Sequence, residues 1–470
     1  MEKSQLVAVL RSFSKKEVRD FRKWVQSPAH NLRDDVLELF EYLVGYDHLD
    51  NEKFLEKERV YRKIFPGESY DDAKLRQSMH FLLRAVEDFL VYQETNEEEI
   101  QVQMTLARVY RKRSLDKFFQ KVVRQIEQRR EKTALRDAQY MLDGYLLEQE
   151  RYRYLSQQKR TSQLNLQEVT DTIDLFYLSD KLRQSCILLS HQAVYKTGYD
   201  TGLLDGVLRY LQENKRFLEV PAIGIYYYIY KATTEKEEPE YFDQLKAYIE
   251  HYSQHFSHTD LRDIYLLALN YCIGKMNTGE RSYIREAFDI IRQGLDIGVW
   301  MENGILNRYS FRNFVAIGMG LQEFAWVERF INDYQHYLDP KHRENFVHFA
   351  LSSLYYEKGD YEKARQLLIH FEYTDILINL QAKSMLIKMY YREGELEALE
   401  SLLESLRNYM HRKKVIGYHK NIYNVFIRYI RKLVRLNPYN RQQREKLYRE
   451  IEESTQLREK KWFLEQLEGM

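Results

Sequence analysis

Only 6 prolines and 18 glycines punctuate 470 residues. All-β and α/β chains of this length need far more turn residues, so the sequence is left with long helices joined by short turns. The predicted fold class is all-α. Hydrophobic residues at 44% are enough to bury a core, and this is not the composition of a disordered chain. At roughly 150 residues per domain the length would suggest about three domains. A repeat protein escapes that count, because each repeat packs only on its neighbours.

Helical periodicity and stop signals divide the chain. A first helix is predicted over Gln5–Arg11. Ser14 and Glu17 have the spacing of a capping box, in which each side chain satisfies the other's backbone N–H. The helix they open carries Val18, Phe21, Trp24 and Val25 on one face and stops before Ser27-Pro28. Asn31 is the expected cap of the next helix. Phe54–Ile64, closed by Pro66-Gly67, and Asp71–Gln93 complete an N-terminal helical domain over residues 1–95. The acidic run Glu97–Glu99 marks a boundary. Long helices over Val102–Arg111, Leu115–Arg130, Ala134–Leu155 and Leu166–Tyr195 then make a middle region, residues 100–202, which ends at the turn residues Gly198 and Gly202.

From residue 203 to 470 the pattern becomes one of paired helices. In the clearest pair a helix ends near Lys358, Gly359-Asp360 makes the turn, and a second helix packs through Ala364, Leu367 and Leu368. The next pair turns at Glu393-Gly394 and continues with Leu396, Leu399, Leu402 and Leu403. Going backwards, Phe324, Val327 and Phe330 match Tyr361, Ala364 and Leu367, and Tyr283, Ala287 and Ile290 form an earlier copy. The matched positions Ala287, Val327, Ala364 and Leu399 lie 40, 37 and 35 residues apart, the period of a degenerate helical repeat. Asn437-Pro438 separates Ile416–Leu436 from Arg441–Ile451, and a last helix, Trp462–Leu467, is expected to cap the stack.

Gly359-Asp360-Tyr361 with Ala364, and Tyr355 four residues before the glycine, resembles the tetratricopeptide repeat (TPR) pattern, and weaker copies extend the resemblance over Thr259–Met410. Ser352 matches the small residue of the first helix, whereas Ile387 in the next repeat departs from it. The resemblance implies an α-α superhelix, or solenoid, with protein or peptide binding along its groove and no catalytic residue. The N-terminal block (Phe13-Ser14-Lys15-Lys16-Glu17, Phe21, Ser27-Pro28, Leu39–Leu43, Tyr61–Gly67 and Phe89-Leu90) is similar to the start of a group of uncharacterised bacterial helical proteins, which carry no assigned activity.

A formal net charge of +1 leaves no global field to draw the chain onto nucleic acid or membrane, so electrostatic function must come from local patches. Two cysteines, Cys186 and Cys272, without a CxxC read as structural thiols in a reducing compartment. The N-terminus opens into a charged amphipathic helix rather than a signal peptide. Apolar runs such as Ile223–Tyr230 fall far short of the ~20 residues of a membrane span. These features predict a cytoplasmic protein with no membrane association, and a monomer is expected because a solenoid needs capped ends and the charged C-terminal helix can supply one.

His251, His255 and His258 include an i, i+4 pair, the spacing at which helical histidines hold zinc, but Tyr252 stands where a metalloprotease has glutamate. Gly318-Met319-Gly320 is a fragment of a dinucleotide loop, lacking the third glycine and a preceding strand. No P-loop, Gly-x-Ser-x-Gly or catalytic Cys/His spacing occurs. No catalytic residue, metal ligand or cofactor is assigned. Tyrosine is unusually common at 39 residues, and runs such as Tyr226-Tyr227-Tyr228 cannot all face one way on a helix. Some rings are expected between helices and others along a groove.

The sharpest functional clue is charge. Between Ser405 and Glu450 thirteen Lys or Arg stand against two acids, Glu445 and Glu450. On Ile416–Leu436, Ile422, Phe426, Ile430 and Leu433 form an inward stripe, while Lys420, Arg428, Arg431, Lys432 and Arg435 group on another face. Aligned arginines bind carboxylates or phosphates bidentately. These five are the candidate partner-binding residues of a non-enzymatic scaffold that takes an acidic or extended segment of another protein. The alternative is a nucleic-acid-associated regulator using the basic helical faces, including a second stretch, Arg108–Arg136, with Arg111, Lys112, Arg113, Lys117, Lys121 and Arg124.

Overall fold

The structure, a computed structural model, describes all residues except 159, 160, 162, 196, 370–374, 413–417, 455, 456 and 458, and all of their side chains except those of 193–195, 418 and 419. Among the described residues there are 23 α-helices and one pair of two-residue strands, so the all-α expectation holds. No helix among them is long and apolar enough to cross a membrane. The chain divides into two compact units, Met1–Leu178 and Ser179–Met470.

The first unit holds α1 (Gln5–Arg11), α2 (Lys15–Gln26), α3 (Asp34–Leu43), α4 (Lys57–Ile64), α5 (Asp72–Glu97), α6 (Glu99–Lys112), α7 (Asp116–Lys132) and α8 (Ala138–Leu155). The division between units falls inside α9 (Leu166–Tyr195). The capping box is formed: Glu17 N–H donates to Ser14 Oγ at 3.2 Å and Ser14 N–H donates to Glu17 Oε2 at 2.7 Å. Phe21 sits at the centre of the core of α1–α5, edge-on to Phe40 at 4.8 Å and to Phe89 at 5.3 Å.

Asn31 does not cap α3. That helix starts three residues later, with Arg33 in the cap position and no side-chain cap. Asn31 instead accepts from Arg33 N–H and donates to the carbonyls of Val25 and Arg33, which ties down the loop, a use of asparagine that competes with capping. Phe54–Ile64 is likewise split into a 3₁₀ turn, Glu52–Leu55, and α4. The acidic run proves to be the break between α5 and α6, with Glu98 out of helical geometry (φ −89°, ψ 79°).

The second unit continues with α10 (Leu204–Glu213), α11 (Pro221–Thr234), α12 (Glu240–Tyr252), α13 (His258–Asn277), α14 (Tyr283–Asp296), α15 (Arg308–Gly320), α16 (Phe324–Tyr334), α17 (Pro340–Glu357), α18 (Tyr361–Ile369), α19 (Ile376–Glu393), α20 (Leu396–Arg412), α21 (Tyr418–Val434), α22 (Arg441–Glu453) and α23 (Lys460–Glu468). Ile416, the expected start of α21, lies outside the described residues. Helices α11 to α20 pack as five successive pairs, and each of the later pairs packs on the next.

Four of these pairs share one turn. Gly279, Gln322, Gly359 and Gly394 are left-handed, at φ 102°, 60°, 81° and 73°. In each turn the following N–H reaches a carbonyl in the last turn of the first helix: Glu280 to Lys275, Glu323 to Gly318, Asp360 to Tyr355 and Glu395 to Tyr390, at 2.9–3.1 Å. This is the Schellman arrangement, which satisfies carbonyls that a helix end leaves orphaned. Beyond the turn, Ala287, Val327, Ala364 and Leu399 are all fully buried. Their inward companions are Ile291, Ile331, Leu368 and Leu403, four residues on. Three residues on, Ile290 and Phe330 are buried as well, whereas Leu367 and Leu402 are half-buried. In the first helices Cys272, Val315, Ser352 and Ile387 hold equivalent places and are buried, Ile387 included.

A small hairpin departs from the sequence reading. Met301–Glu302 and Ile305–Leu306 pair as a small antiparallel hairpin. Its turn residues Asn303 and Gly304 are both left-handed, as an Asn-Gly turn requires. Gly318 and Gly320 lie within α15, not in a loop. A Cβ at Gly318 would stand 2.6 Å from Val327 Cγ2, and one at Gly320 2.5 Å from Ile284 Cδ1. They are close-packing positions between helices.

Gln322 occupies a backbone conformation that its three counterparts give to glycine. Gln322→Gly is expected to stabilise the second unit by about 0.5–1 kcal/mol, because the left-handed strain of an L-residue outweighs the added freedom of the unfolded chain. Gly359→Ala should destabilise it by about 1 kcal/mol. Urea midpoints of the two variants, moving in opposite directions from wild type, are the check.

Candidate functional site

Helix α21 is two-faced. Ile422, Phe426, Ile430 and Leu433 are buried on one side, whereas Asn424, Arg428, Lys432 and Arg435 are exposed and Arg431 is half-buried. Helix α20 brings Arg407 up beside the polar side. Arg407, Arg428, Arg431, Lys432 and Arg435 line one open hollow of about 410 Å³, together with Asn424 and Ile427. Four of the five sequence-assigned residues are thus brought together. The fifth, Lys420, is exposed one helical turn before Asn424 and does not line the hollow.

The hollow is only partly neutralised. Arg431 lies 3.6 Å from Glu404, and Lys432 is paired with Glu450. Arg407, Arg428 and Arg435 have no carboxylate at ion-pair distance among the described residues, and the Arg428 guanidinium rests 5.1 Å from the Tyr429 ring. Arg407 was not singled out in the sequence, because it belongs to the preceding helix and only packing brings it alongside α21.

In the second basic stretch Lys112, Arg113, Lys117, Lys121 and Arg124 are exposed, and Arg111 differs from them. Arg111 is turned inward, 2.9 Å from the buried carboxylate of Glu150, which Arg108 and Arg153 also approach at 3.4 and 2.9 Å. Burial pushes the Glu150 carboxyl up, but hydrogen bonding and charge from Arg111 and Arg153 bring it below its ordinary value. Arg111 therefore serves the packing of the first unit.

A second concavity lies on the apolar side of α21. Helices α15, α17, α19 and α21, with Leu457 and Glu459, enclose a cleft of about 460 Å³. Its walls include Met319, Phe349, Met385 and Phe426, and its polar groups include Arg312, Gln381, Ser384 and Lys388. Lys388, 12% exposed, is held 2.7 Å from Glu459, with its ammonium 4.9 Å from the Tyr356 ring. Burial depresses the Lys388 pKa, and the negative charge of Glu459 more than offsets this, leaving it raised. Ser353 and Ser384 hydroxyls donate to their own helices, at Phe349 O and Leu380 O. The buried Gln381 Oε1 has no donor, and Arg312 has no carboxylate at ion-pair distance among the described residues. Sequence reasoning did not find this cleft, because its residues are spread over four helices. One local signal was present: Gln381, Ser384 and Lys388 recur at helical spacing on one face of α19.

The remaining constellations make local contacts. His258 Nε2 lies 3.2 Å from Gly298 O and His251 stands edge-on to Tyr252. Among the described residues no three His, Cys, Asp or Glu are grouped as metal ligands. Tyr226 and Tyr227 are buried between helices, and half-buried Tyr228 packs against Tyr248 at 4.9 Å. Burial pushes the Cys272 thiol up to about 12, and Cys186 is also buried, its thiol donating to Tyr226 O. No family model, curated protein or solved structure matches the chain.

The Lys388–Glu459 pair gives a signed expectation. Glu459→Gln should destabilise the protein by about 2 kcal/mol at neutral pH, less than the 3–5 kcal/mol of a fully buried broken pair because the Glu459 side chain keeps 35% of its exposure. The wild-type pKa of Lys388 is raised, so the pair's contribution is whole below the free-lysine value of about 10.4 and is lost as pH rises through the folded value. In the variant the pull of Glu459 is gone, burial is opposed only by the charges of Tyr356 and Glu357, and the Lys388 pKa falls below its wild-type value, so the variant loses less stability than wild type as pH rises. The gap in melting temperature between the two proteins should therefore narrow as pH approaches 10 from neutrality.

Proposed function

We propose that the chain is a non-enzymatic scaffold or adaptor, a TPR-like α-α superhelix that binds an acidic or extended segment of a partner protein. The observation that carries this reading is the hollow between α20 and α21, where five cations face two carboxylates. An excess of arginine on adjacent helices suits carboxylates, which guanidinium groups grip through two parallel hydrogen bonds. The recurrence of one left-handed turn and one buried position through successive helix pairs supports the repeat architecture. Arg428, Arg431, Lys432 and Arg435 are the proposed anchors, with Arg407 added from the structure and Lys420 flanking them. In this reading the protein works as a cytoplasmic monomer, with no cofactor.

The test is the four-site variant R428E/R431E/K432E/R435E beside wild type, in a pull-down from the source organism's extract with protein and nucleic acid both quantified. Wild type is expected to retain a protein whose acidic segment, made as a synthetic peptide, also binds it. The variant should lose that peptide by at least about tenfold, the equivalent of one charge-assisted contact. Equal retention by both proteins would remove these anchors. Nucleic acid alone, lost from the variant and steeply salt-dependent, would move the reading to a nucleic-acid-associated regulator.

A further inference from the structure

We propose that the cleft between α15, α17, α19 and α21 is a second anchoring site for the same partner, taking one large apolar side chain of an extended acidic stretch. The inference rests on the scaffold reading and specifies what the partner segment must carry.

The cleft lacks two things that a ligand would supply. Gln381 Oε1 is buried without a donor among the described residues. A buried acceptor left unpaired is costly, so an N–H or O–H arriving there is favoured. Arg312, half-buried in the same lining, lacks a carboxylate at ion-pair distance among the described residues. Lys388, by contrast, already has Glu459 at 2.7 Å, so it does not call for a second anion. The unmet demands are therefore one donor at Gln381 and one negative charge at Arg312.

These demands select the form of the occupant. A helix has spent its backbone N–H groups internally beyond its first turn, whereas an extended segment presents them along its length. The apolar walls supply the rest: Met319 and Met385 are adaptable side chains, and Phe349 and Phe426 are rigid ones. The volume, about 460 Å³, falls in the range of roughly 300–1,000 Å³ typical of ligand pockets. The chain itself shows that the cleft accepts this chemistry, since Leu457 is buried in its wall and Glu459, two residues on, is ion-paired inside it.

The basic hollow is on the opposite face of α21, because Ile422 and Phe426 project about half a helical turn away from Arg428, Arg431 and Arg435. Loss of one site therefore leaves the lining of the other untouched, and the two proposals fail separately.

The test uses the full-length protein with its methionines ¹³C-methyl labelled. Met319 and Met385 report on the cleft. Three pools of blocked pentapeptides serve as probes: a central Leu, Phe or Tyr flanked by Glu; the same centres flanked by Lys; and Ser or Gly flanked by Glu. The first pool alone is expected to shift the Met319 and Met385 methyl resonances. Arg312→Glu should weaken its binding by at least about tenfold. Gln381→Leu, which removes the unpaired acceptor while keeping the side chain's bulk, should weaken it by several-fold. The R428E/R431E/K432E/R435E protein should show the same two shifts as wild type. Their absence with the first pool at millimolar concentration overturns the proposal, as does equal response to all three pools. Unchanged binding by a folded Arg312→Glu protein would also overturn it. Loss of the two shifts in the four-site variant would show a single site in place of two.

Discussion

A pair of helices joined by a short turn cannot bury its own apolar face, and the second unit is organised around that constraint. Each pair covers the one before it, so every pair but the last has a neighbour to supply the missing surface. The last, α19 and α20, is covered by α21–α23. Phe463 of α23 packs on Phe426 of α21 at 5.8 Å, and Trp462 lies edge-on to Tyr391 of α19 at 5.6 Å. These residues belong to one core cluster with Leu399, Leu403 and Leu406 of α20. The closing helices therefore complete the core, and α21, apolar on one side only, has a second side left over.

That leftover side explains why the basic face is where it is. Inward positions of α21 are fixed by packing, and polar residues are tolerated only on the remaining arc. What packing does not fix is the sign of the charge. A solvated flank would be expected to mix acids and bases, yet the arc of α21 carries arginine and lysine, and α20 adds Arg407 to it. Like charges crowded on neighbouring turns repel one another, and among the described residues only Glu404 and Glu450 offset them. Arg111 shows the contrasting case, a cation whose carboxylate partner is already built in.

Local chemistry was legible in the sequence and long-range neighbourhood was not. The capping box at Ser14, the ends of α1 and α9, the left-handed turns at Gly359 and Gly394 and the spacing of Ala287, Val327, Ala364 and Leu399 all rest on residues within a turn or two of one another. Asn31 misled because its side chain has two local uses, capping and loop-tying, and only the backbone that follows decides between them. Gln322 concealed a turn of the same kind as those at Gly359 and Gly394, since nothing in a glutamine announces a positive φ. The stripe of cations on α21 could be read by periodicity, but Arg407 could not, nor could the cleft lined from four helices.

The two concavities divide their electrostatics in opposite ways. In the cleft a nearly buried lysine is matched by a carboxylate from the closing segment, so its charge is balanced before any ligand arrives. A nearly buried charge is tolerated when it is paired in this way, whereas Arg312 at the same cleft is half-buried and keeps contact with solvent. The hollow is open to solvent, where unpaired cations are hydrated and so are tolerated. Attraction in the hollow is correspondingly long in reach and weak in selectivity, and suits first capture of a charged segment. In the proposed reading, selection by shape would fall to the cleft, where a wrong side chain would leave the apolar walls unfilled. In the proposed reading, two sites on opposite faces of one helix would let capture and selection vary independently, because a change of charge on the outer arc alters none of the packing on the inner one.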